Sequence, residues 1–114
     1  MSKKNLLAVD FDDTISARPT LWLEVLETFR SFNFDVVVVT YRQPNCDPED
    51  LQFLVDRGFQ VIYTGQKAKR PFLKELGLFP SVWVDDTPES VLFDYNSFGG
   101  GFKQSEKQDF KLSK

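Results

Sequence analysis

The chain has 114 residues and a net charge of −3, with 41% hydrophobic and 27% charged residues. These values are typical of one globular domain; they exclude a largely disordered chain and argue against a protein that binds nucleic acid mainly by neutralising phosphates. The single cysteine, Cys46, excludes an intrachain disulfide framework and a cysteine-based metal site, so a reducing compartment fits.

The predicted elements alternate between strands and helices. In chain order they are a strand over 6–11, a helix over 19–32, a strand over 34–40, a helix over 47–58, a strand over 59–64, a helix over 70–76, a strand over 82–85 and a helix over 87–93. The strands are continuous apolar runs such as "FDVVVVT", which favour burial on both faces, as in a parallel sheet. Asp47-Pro48 is typical of a helix start, and Gly58 and Gly77 are typical of helix ends.

This alternation predicts an α/β fold, namely a three-layer, Rossmann-like parallel sheet with helices on both faces. The folded part is predicted to cover residues 1–96. The remaining residues, 97–114, begin with three consecutive glycines after "SF" and continue with charged residues and little apolar content. That composition is typical of a polar, flexible C-terminal tail.

Three of the four predicted strands end in residues suited to phosphate or metal chemistry. The first ends near Asp10 and leads to Asp12, the second ends at Thr40, and the fourth ends at Asp85 and Asp86. In an open α/β sheet, ligands bind outside the carboxyl ends of the strands. Clustered carboxylates there would need a cation, and oxygen ligands with few protein contacts suit Mg²⁺ shared with a phosphate. We therefore predict a magnesium and phosphate site at this edge.

The same residues resemble the four motifs of the haloacid dehalogenase superfamily of phosphotransferases. "VDFDDT" is similar to the first motif, DxDx(T/V), and "VVVVT" to the second, a strand that ends in Thr or Ser. "KAKRPFL" and "VWVDD" are similar to the third and fourth, a helix-opening lysine and a strand ending in an acidic pair. The resemblance implies that residues 1–96 are the catalytic domain of a Mg²⁺-dependent phosphatase, a hydrolase of phosphoric monoesters that forms an aspartyl-phosphate.

The resemblance also implies a role for each motif residue. Asp10 would be the nucleophile, and Asp12 would protonate the leaving group and later deprotonate the hydrolytic water. Asp10, the backbone carbonyl of Asp12 and Asp85 would bind Mg²⁺, with Asp86 supporting the metal shell. Thr40 would donate a hydrogen bond to a phosphoryl oxygen.

The sequence does not decide the roles of three cationic residues, Lys67, Lys69 and Arg42. The lysine that stabilises the transferring group is Lys67 or Lys69, and we favour Lys69 because it stands next to the predicted helix start. Lys67 and Arg42 are further candidates for contacts with the substrate phosphate. The alternative is that these cations only face water, which is the usual meaning of such charges. Asp13 is interpreted as a residue that shapes the turn.

The spacing of the motifs leaves no room for a cap domain, the inserted unit from which this family usually takes its specificity. Residues 15–39 and 41–66 are each long enough only for a helix, a strand and loops. Capless members often act on phosphorylated macromolecular ends or close their sites by oligomerising. We therefore expect a phosphorylated substrate, either a small molecule or the end of a macromolecule. A homo-oligomer and a nucleic-acid substrate stay open, although the acidic body disfavours the latter.

Two other functional classes are considered. A receiver-like phosphoacceptor module would have a similar length, a parallel sheet and an acidic Mg²⁺ pocket, but its lysine and phosphorylated aspartate follow different strands. A binding or assembly protein with the same fold and little activity would be favoured by a missing catalytic residue, and none is visibly missing.

The sequence also predicts a cytoplasmic protein without a membrane partner. No apolar run approaches the ~20 residues that a membrane-spanning helix needs. The opening stretch, "MSKKNLLAVDF", reaches a charged residue too soon for a signal peptide.

Overall fold

The computed structural model of the chain describes residues 5–44 and 49–94. The elements are β1 (Asn5–Asp10), α1 (Pro19–Ser31), β2 (Phe34–Thr40), α2 (Gln52–Asp56), β3 (Gln60–Tyr63), α3 (Lys69–Glu75), β4 (Val82–Val84) and α4 (Glu89–Leu92). The predictions for Cys46, for the helix start at Asp47-Pro48 and for the tail over 97–114 lie outside the described residues.

Each predicted element has a counterpart in the structure. The bounds of β2 agree with the prediction at both ends, because its run of valines is unbroken. The predicted first strand is shifted by one residue, since β1 begins at Asn5 and ends at Asp10, where the chain turns into Phe11. A single 3₁₀ turn over Glu49–Leu51 precedes α2, so the described part of the predicted second helix is less regular than expected.

The four strands form one all-parallel sheet in the order β3-β2-β1-β4. The register places Val9 of β1 opposite Val38 of β2 on one side and Val84 of β4 on the other. The chain therefore runs outward from β1 through β2 to β3, and then returns to the opposite side of β1. This reversal makes the gap between β1 and β4 the topological switch point, where open α/β sheets bind ligands.

Two hydrophobic clusters hold the helices to the sheet. Leu7 and Val9 of β1 pack in one cluster with Leu26 of α1, and Ala8 of β1 packs in the other with Leu73 of α3. Successive strand residues point to opposite faces, so these clusters lie on opposite sides of β1. Leu26 and Leu73 are fully buried, and burial of each such side chain stabilises the fold by roughly 1.5–3 kcal/mol.

Two helices end as predicted at glycines with left-handed backbone. Gly58 follows α2 with φ of 85°, and Gly77 follows α3 with φ of 81°. The amide of Phe59 donates to the carbonyl of Leu54 at 3.0 Å, which closes the helix end. Among residues 5–44 and 49–94, no helix has both the length and the apolar character that crossing a membrane requires.

Candidate active site

The chain turns sharply where β1 ends. The amide of Ser16 donates to the carbonyl of Phe11 at 2.8 Å, which closes a wide turn over Phe11–Ile15. Asp13 lies in this turn with φ of 66°, and its amide donates to the Ser16 hydroxyl at 2.9 Å. Aspartate tolerates a left-handed backbone better than most residues do. The structure thus gives Asp13 the turn-shaping position expected for it.

Lys69 joins the ends of the two strands that flank the switch point. Its Nζ lies 2.7 Å from Oδ1 of Asp10, at the end of β1, and 2.7 Å from Oδ2 of Asp85, just after β4. The Lys69 side chain is 2% exposed, and those of Asp10 and Asp85 are 7% and 5% exposed. A buried ammonium needs such partners, because an unpaired charge in the interior is strongly destabilising.

Asp86 adds a third carboxylate to this group. One carboxylate oxygen from each of Asp10, Asp85 and Asp86 lies within 4.8 Å of the other two. With Lys69, the group has three negative charges and one positive charge when all are ionised. Such a group could hold a metal ion, and a divalent cation would bring it to neutrality. The carboxylate of Asp12 does not belong to this set.

Burial raises the pKa of Asp10 from 3.8 to about 8. The ammonium of Lys69 opposes this shift, while the charge of Asp85 and a hydrogen bond with Asp86 add to it. Crowded carboxylates favour either a retained proton or a bound cation at this position. The short distances between the carboxylates and the raised pKa of Asp10 therefore both indicate an excess of negative charge in this group.

Asp12 turns towards Arg42 and Thr40. The Thr40 hydroxyl donates to Oδ2 of Asp12 at 3.0 Å, and Arg42 donates to both oxygens, through Nε at 3.2 Å and Nη2 at 2.7 Å. Arg42 also binds Asp50 through two hydrogen bonds of 2.9 and 2.8 Å. The guanidinium therefore joins two carboxylates, and the interpretation that Arg42 only faces water is not what the structure shows.

The structure separates the two candidate lysines. Lys69 is buried between Asp10 and Asp85, whereas Lys67 is exposed. The carbonyl of Lys67 accepts a hydrogen bond from the Thr64 hydroxyl at 2.8 Å. Of the two, only Lys69 is placed to act on a group bound at Asp10.

A shallow cleft of about 90 Å³ opens over this group. Its lining residues are Asp10, Asp12, Asp13, Tyr41, Lys69, Asp85, Asp86, Thr87 and Ser90. A larger cleft of about 430 Å³ lies at the opposite edge of the sheet, near the starts of β1, β2 and β3, and it contains Leu6, Asp35 and Gln60. The smaller cleft is the candidate active site because the carboxylates and the buried ammonium meet there.

Tyr41 forms one wall of the cleft. The Nζ of Lys69 lies 5.5 Å from the centre of its ring, and its hydroxyl donates to the carbonyl of Phe93. Beside it, the carboxylate of Asp94 accepts a hydrogen bond from the amide of Ala68 at 2.7 Å. These two hydrogen bonds fasten the segment after α4 to Tyr41, which follows β2, and to Ala68, which precedes α3.

Several contributors to the site have no sequence-based prediction. They are Thr14, whose hydroxyl donates to Oδ2 of Asp10 at 3.3 Å, and Ser90 and the Thr87 amide, which donate to Asp85. Thr14 belongs to the first motif, and Thr87 and Ser90 closely follow the acidic pair. Their proximity to the motif residues in the sequence is therefore the feature by which they could have been predicted. No feature of the sequence marks Tyr41 or Asp50 as a site residue, because their contacts form only when the chain folds.

Comparison of the chain with protein-family models, with curated proteins and with solved structures gives no match. The resemblance to the haloacid dehalogenase superfamily thus depends on the motif residues themselves. Because one fold can host many functions, the geometry and chemistry of the cleft are the guide to function.

We predict that Mg²⁺ raises the melting temperature of the protein. An ion that binds only the folded chain stabilises it by about 2.7 kcal/mol at 100 times its Kd. Asp86→Asn should reduce this shift, because it removes one of the three carboxylates. Asp13→Asn is the matched control, and its shift should equal that of the wild type. Differential scanning fluorimetry over a Mg²⁺ series measures the effect, and equal shifts for both variants would contradict it.

Proposed function

We propose that this chain is a Mg²⁺-dependent phosphohydrolase of the haloacid dehalogenase type, which cleaves phosphoric monoesters through an aspartyl-phosphate. One observation carries the proposal: Asp10 ends the central strand at the switch point, in contact with a buried lysine and beside an acidic pair. A nucleophilic carboxylate, a fixed cation and a metal-ligand cluster are the parts that such a displacement needs.

The proposed architecture is the three-layer, Rossmann-like arrangement without a cap domain. Its support is the packing of α1 and α3 against opposite faces of β1. The proposal of a capless chain is supported by the stretch between Ile15 and Thr40, which contains α1 and β2 with short connections.

The donor set fits Mg²⁺. Mg²⁺ prefers oxygen ligands and is commonly held by one or two carboxylates together with water and substrate phosphate. Asp10, Asp85 and Asp86 would hold it, and their charge together with Lys69 is balanced by two positive charges. When bound, the ion would withdraw charge from the transferring phosphoryl group.

In the first proposed step, a carboxylate oxygen of Asp10 attacks the phosphorus of the substrate. The bond from phosphorus to the ester oxygen breaks, and that oxygen takes a proton from Asp12. Lys69 stays beside Asp10 and offsets negative charge on the phosphoryl oxygens as the new bond forms. The product of this step is the alcohol and an aspartyl-phosphate at Asp10.

In the second step, water attacks the phosphorus of the aspartyl-phosphate and gives a proton to Asp12. The bond from phosphorus to Asp10 breaks, inorganic phosphate leaves, and both side chains return to their starting states. Asp12 lines the cleft, but Thr40 and Arg42 hold its carboxylate. Acid–base work by Asp12 therefore requires its carboxylate to give up at least one bond to Arg42.

The size of the cleft bears on the substrate. Sites for drug-sized ligands usually enclose ≈ 300–1,000 Å³, whereas this cleft measures about 90 Å³. We propose that it takes the phosphoryl group while the rest of the substrate lies outside. This favours a phosphorylated end of a larger molecule over a small substrate that must be enclosed.

The test is hydrolysis of a generic aryl phosphate with and without Mg²⁺. We expect turnover that depends on Mg²⁺ and that chelation abolishes, with release of inorganic phosphate as the readout. Refilling the chelated protein with Mg²⁺ should restore the rate, which separates metal loss from denaturation. If a broad panel of phosphate esters gives no turnover while the protein is folded and binds Mg²⁺, the proposal is wrong.

One observation favours a second candidate, a phosphoacceptor module that keeps its phosphoryl group. Asp12 accepts three hydrogen bonds from Thr40 and Arg42, and a carboxylate held in that way is poorly placed to deprotonate water. The chain would then form a long-lived phospho-Asp10. Incubation with a small phosphoryl donor, followed by intact mass measurement over time, distinguishes this candidate from a hydrolase.

A further inference from the structure

Ser90, in the first turn of α4, makes its side-chain contact outside its own helix. Its side chain is buried, the residue being 2% exposed, and its hydroxyl donates to Oδ2 of Asp85 at 2.9 Å. A serine at the N-cap position usually accepts hydrogen bonds from backbone amides, but Ser90 is the second residue of α4, and no side chain caps this helix. The hydroxyl of Ser90 is thus directed to the acidic group and not to its own helix.

The two oxygens of Asp85 are held separately. Oδ2 accepts from Ser90 and from Lys69, while Oδ1 accepts from the Thr87 amide at 3.0 Å. Lys69 is shared with Asp10, so its ammonium does not serve Asp85 alone. Ser90 and the Thr87 amide do not contact Asp10. They can therefore hold the carboxylate of Asp85 in one orientation independently of the contact between Lys69 and Asp10.

We propose that Ser90 is a positioning residue that orients the Asp85 carboxylate towards a divalent cation shared with Asp10 and Asp86. The inference rests on the metal site of the proposed function, but it concerns the affinity for the ion and not the reaction. Groups that hydrogen-bond a metal ligand fix its orientation, and their loss typically lowers metal affinity 10- to 100-fold.

The experiment compares Mg²⁺ binding by the full chain and its Ser90→Ala variant, measured by isothermal titration calorimetry. We expect Ser90→Ala to raise the Kd for Mg²⁺ by roughly 10- to 100-fold. Ser90→Thr, which keeps the hydroxyl, should restore the affinity towards that of the wild type. Ser31→Ala is the control: it removes a hydroxyl that donates to the carbonyl of Thr28 on α1 at 2.8 Å and that does not line the cleft, so its Kd should not change.

A purely structural role gives a different pattern. Ser90→Ala would then lower the melting temperature without Mg²⁺ and leave the Kd for Mg²⁺ unchanged, which would overturn the proposal. If Ser90→Thr fails to fold, the comparison of Ser90→Ala with Ser31→Ala decides alone, and equal Kd values overturn the proposal. A wild-type chain that binds no Mg²⁺ would overturn this inference together with the metal site. Weakened binding in Ser90→Ala without phosphatase activity in the wild type would support the inference and contradict the hydrolase.

Discussion

Asp10→Asn is expected to abolish phosphate ester hydrolysis while the protein stays folded. The amide has nearly the shape of the carboxylate but cannot form an acyl phosphate. Removing the nucleophile of a covalent mechanism typically lowers kcat by several orders of magnitude, and we expect a loss of roughly 10³-fold or more. Release of inorganic phosphate measures the loss, and circular dichroism checks the fold.

The stability of Asp10→Asn should depend on pH in a defined direction. The folded protein raises the pKa of Asp10 to about 8, so between about pH 4 and pH 8 it retains a proton that the unfolded chain has released. Without divalent cations, this group therefore stabilises the wild type fully at acidic pH, and the contribution is lost as the pH rises towards 8. Asparagine does not titrate. The melting temperature of the variant relative to the wild type should thus increase from about pH 5 to about pH 8.

Asp13→Asn is the control for this prediction. Asp13 lies three positions further along the same turn and is exposed, and its backbone amide, not its carboxylate, donates to the Ser16 hydroxyl. Its replacement should leave both the rate and the pH dependence of stability close to those of the wild type. If Asp10→Asn and Asp13→Asn lose equal activity, the activity depends on negative charge in the turn and not on a nucleophile at Asp10.

Lys69→Met is expected to cause the largest loss of stability. Methionine replaces much of the buried lysine stem but leaves Asp10 and Asp85 without their shared ammonium. Removing one partner of a buried ion pair typically destabilises a protein by ~3–5 kcal/mol, because the remaining charge is uncompensated. Urea denaturation without Mg²⁺ at about pH 9, where Asp10 of the wild type is ionised, measures this loss. Activity should also be lost, since no other described cation contacts Asp10.

Two comparisons make the Lys69 prediction specific. Lys67→Met changes an exposed lysine two positions earlier and should alter the free energy of unfolding by less than about 0.5 kcal/mol. At the same pH, the double variant Asp10→Asn with Lys69→Met should be less destabilised than the sum of the single changes, because one orphaned carboxylate is gone. If the changes in the free energy of unfolding of the two single variants add up to that of the double variant, Lys69 is not coupled to Asp10.

Much of the sheet could be predicted because its signal is local. The run of valines in β2 and the apolar residues before Asp10 define strands without reference to the rest of the chain. The end of β1 was less predictable, since Phe11 is as apolar as the strand and is buried in the turn. Burial alone does not distinguish a strand from a buried turn.

The candidate site was predictable as a set of residues and not as a set of contacts. Asp10, Asp85 and Asp86 were expected to meet because parallel strands present their carboxyl ends at one edge. Asp12 was expected to join Asp10 but instead binds Thr40 and Arg42, and Arg42 in turn binds Asp50 from the turn before α2. That arrangement depends on side-chain torsions and on an element that no local pattern places.

By itself, the sequence determined that the chain alternates strands with helices and that acidic residues, a threonine and a lysine stand where strands end or helices begin. Short-range patterns carry that information, because strand and helix periodicity repeat within a few residues. Only the tertiary structure decided that β4 lies beside β1, that Lys69 and not Lys67 is buried between Asp10 and Asp85, and that Ser90 holds Asp85. These outcomes follow from strand order and burial, which are set by packing across the whole domain.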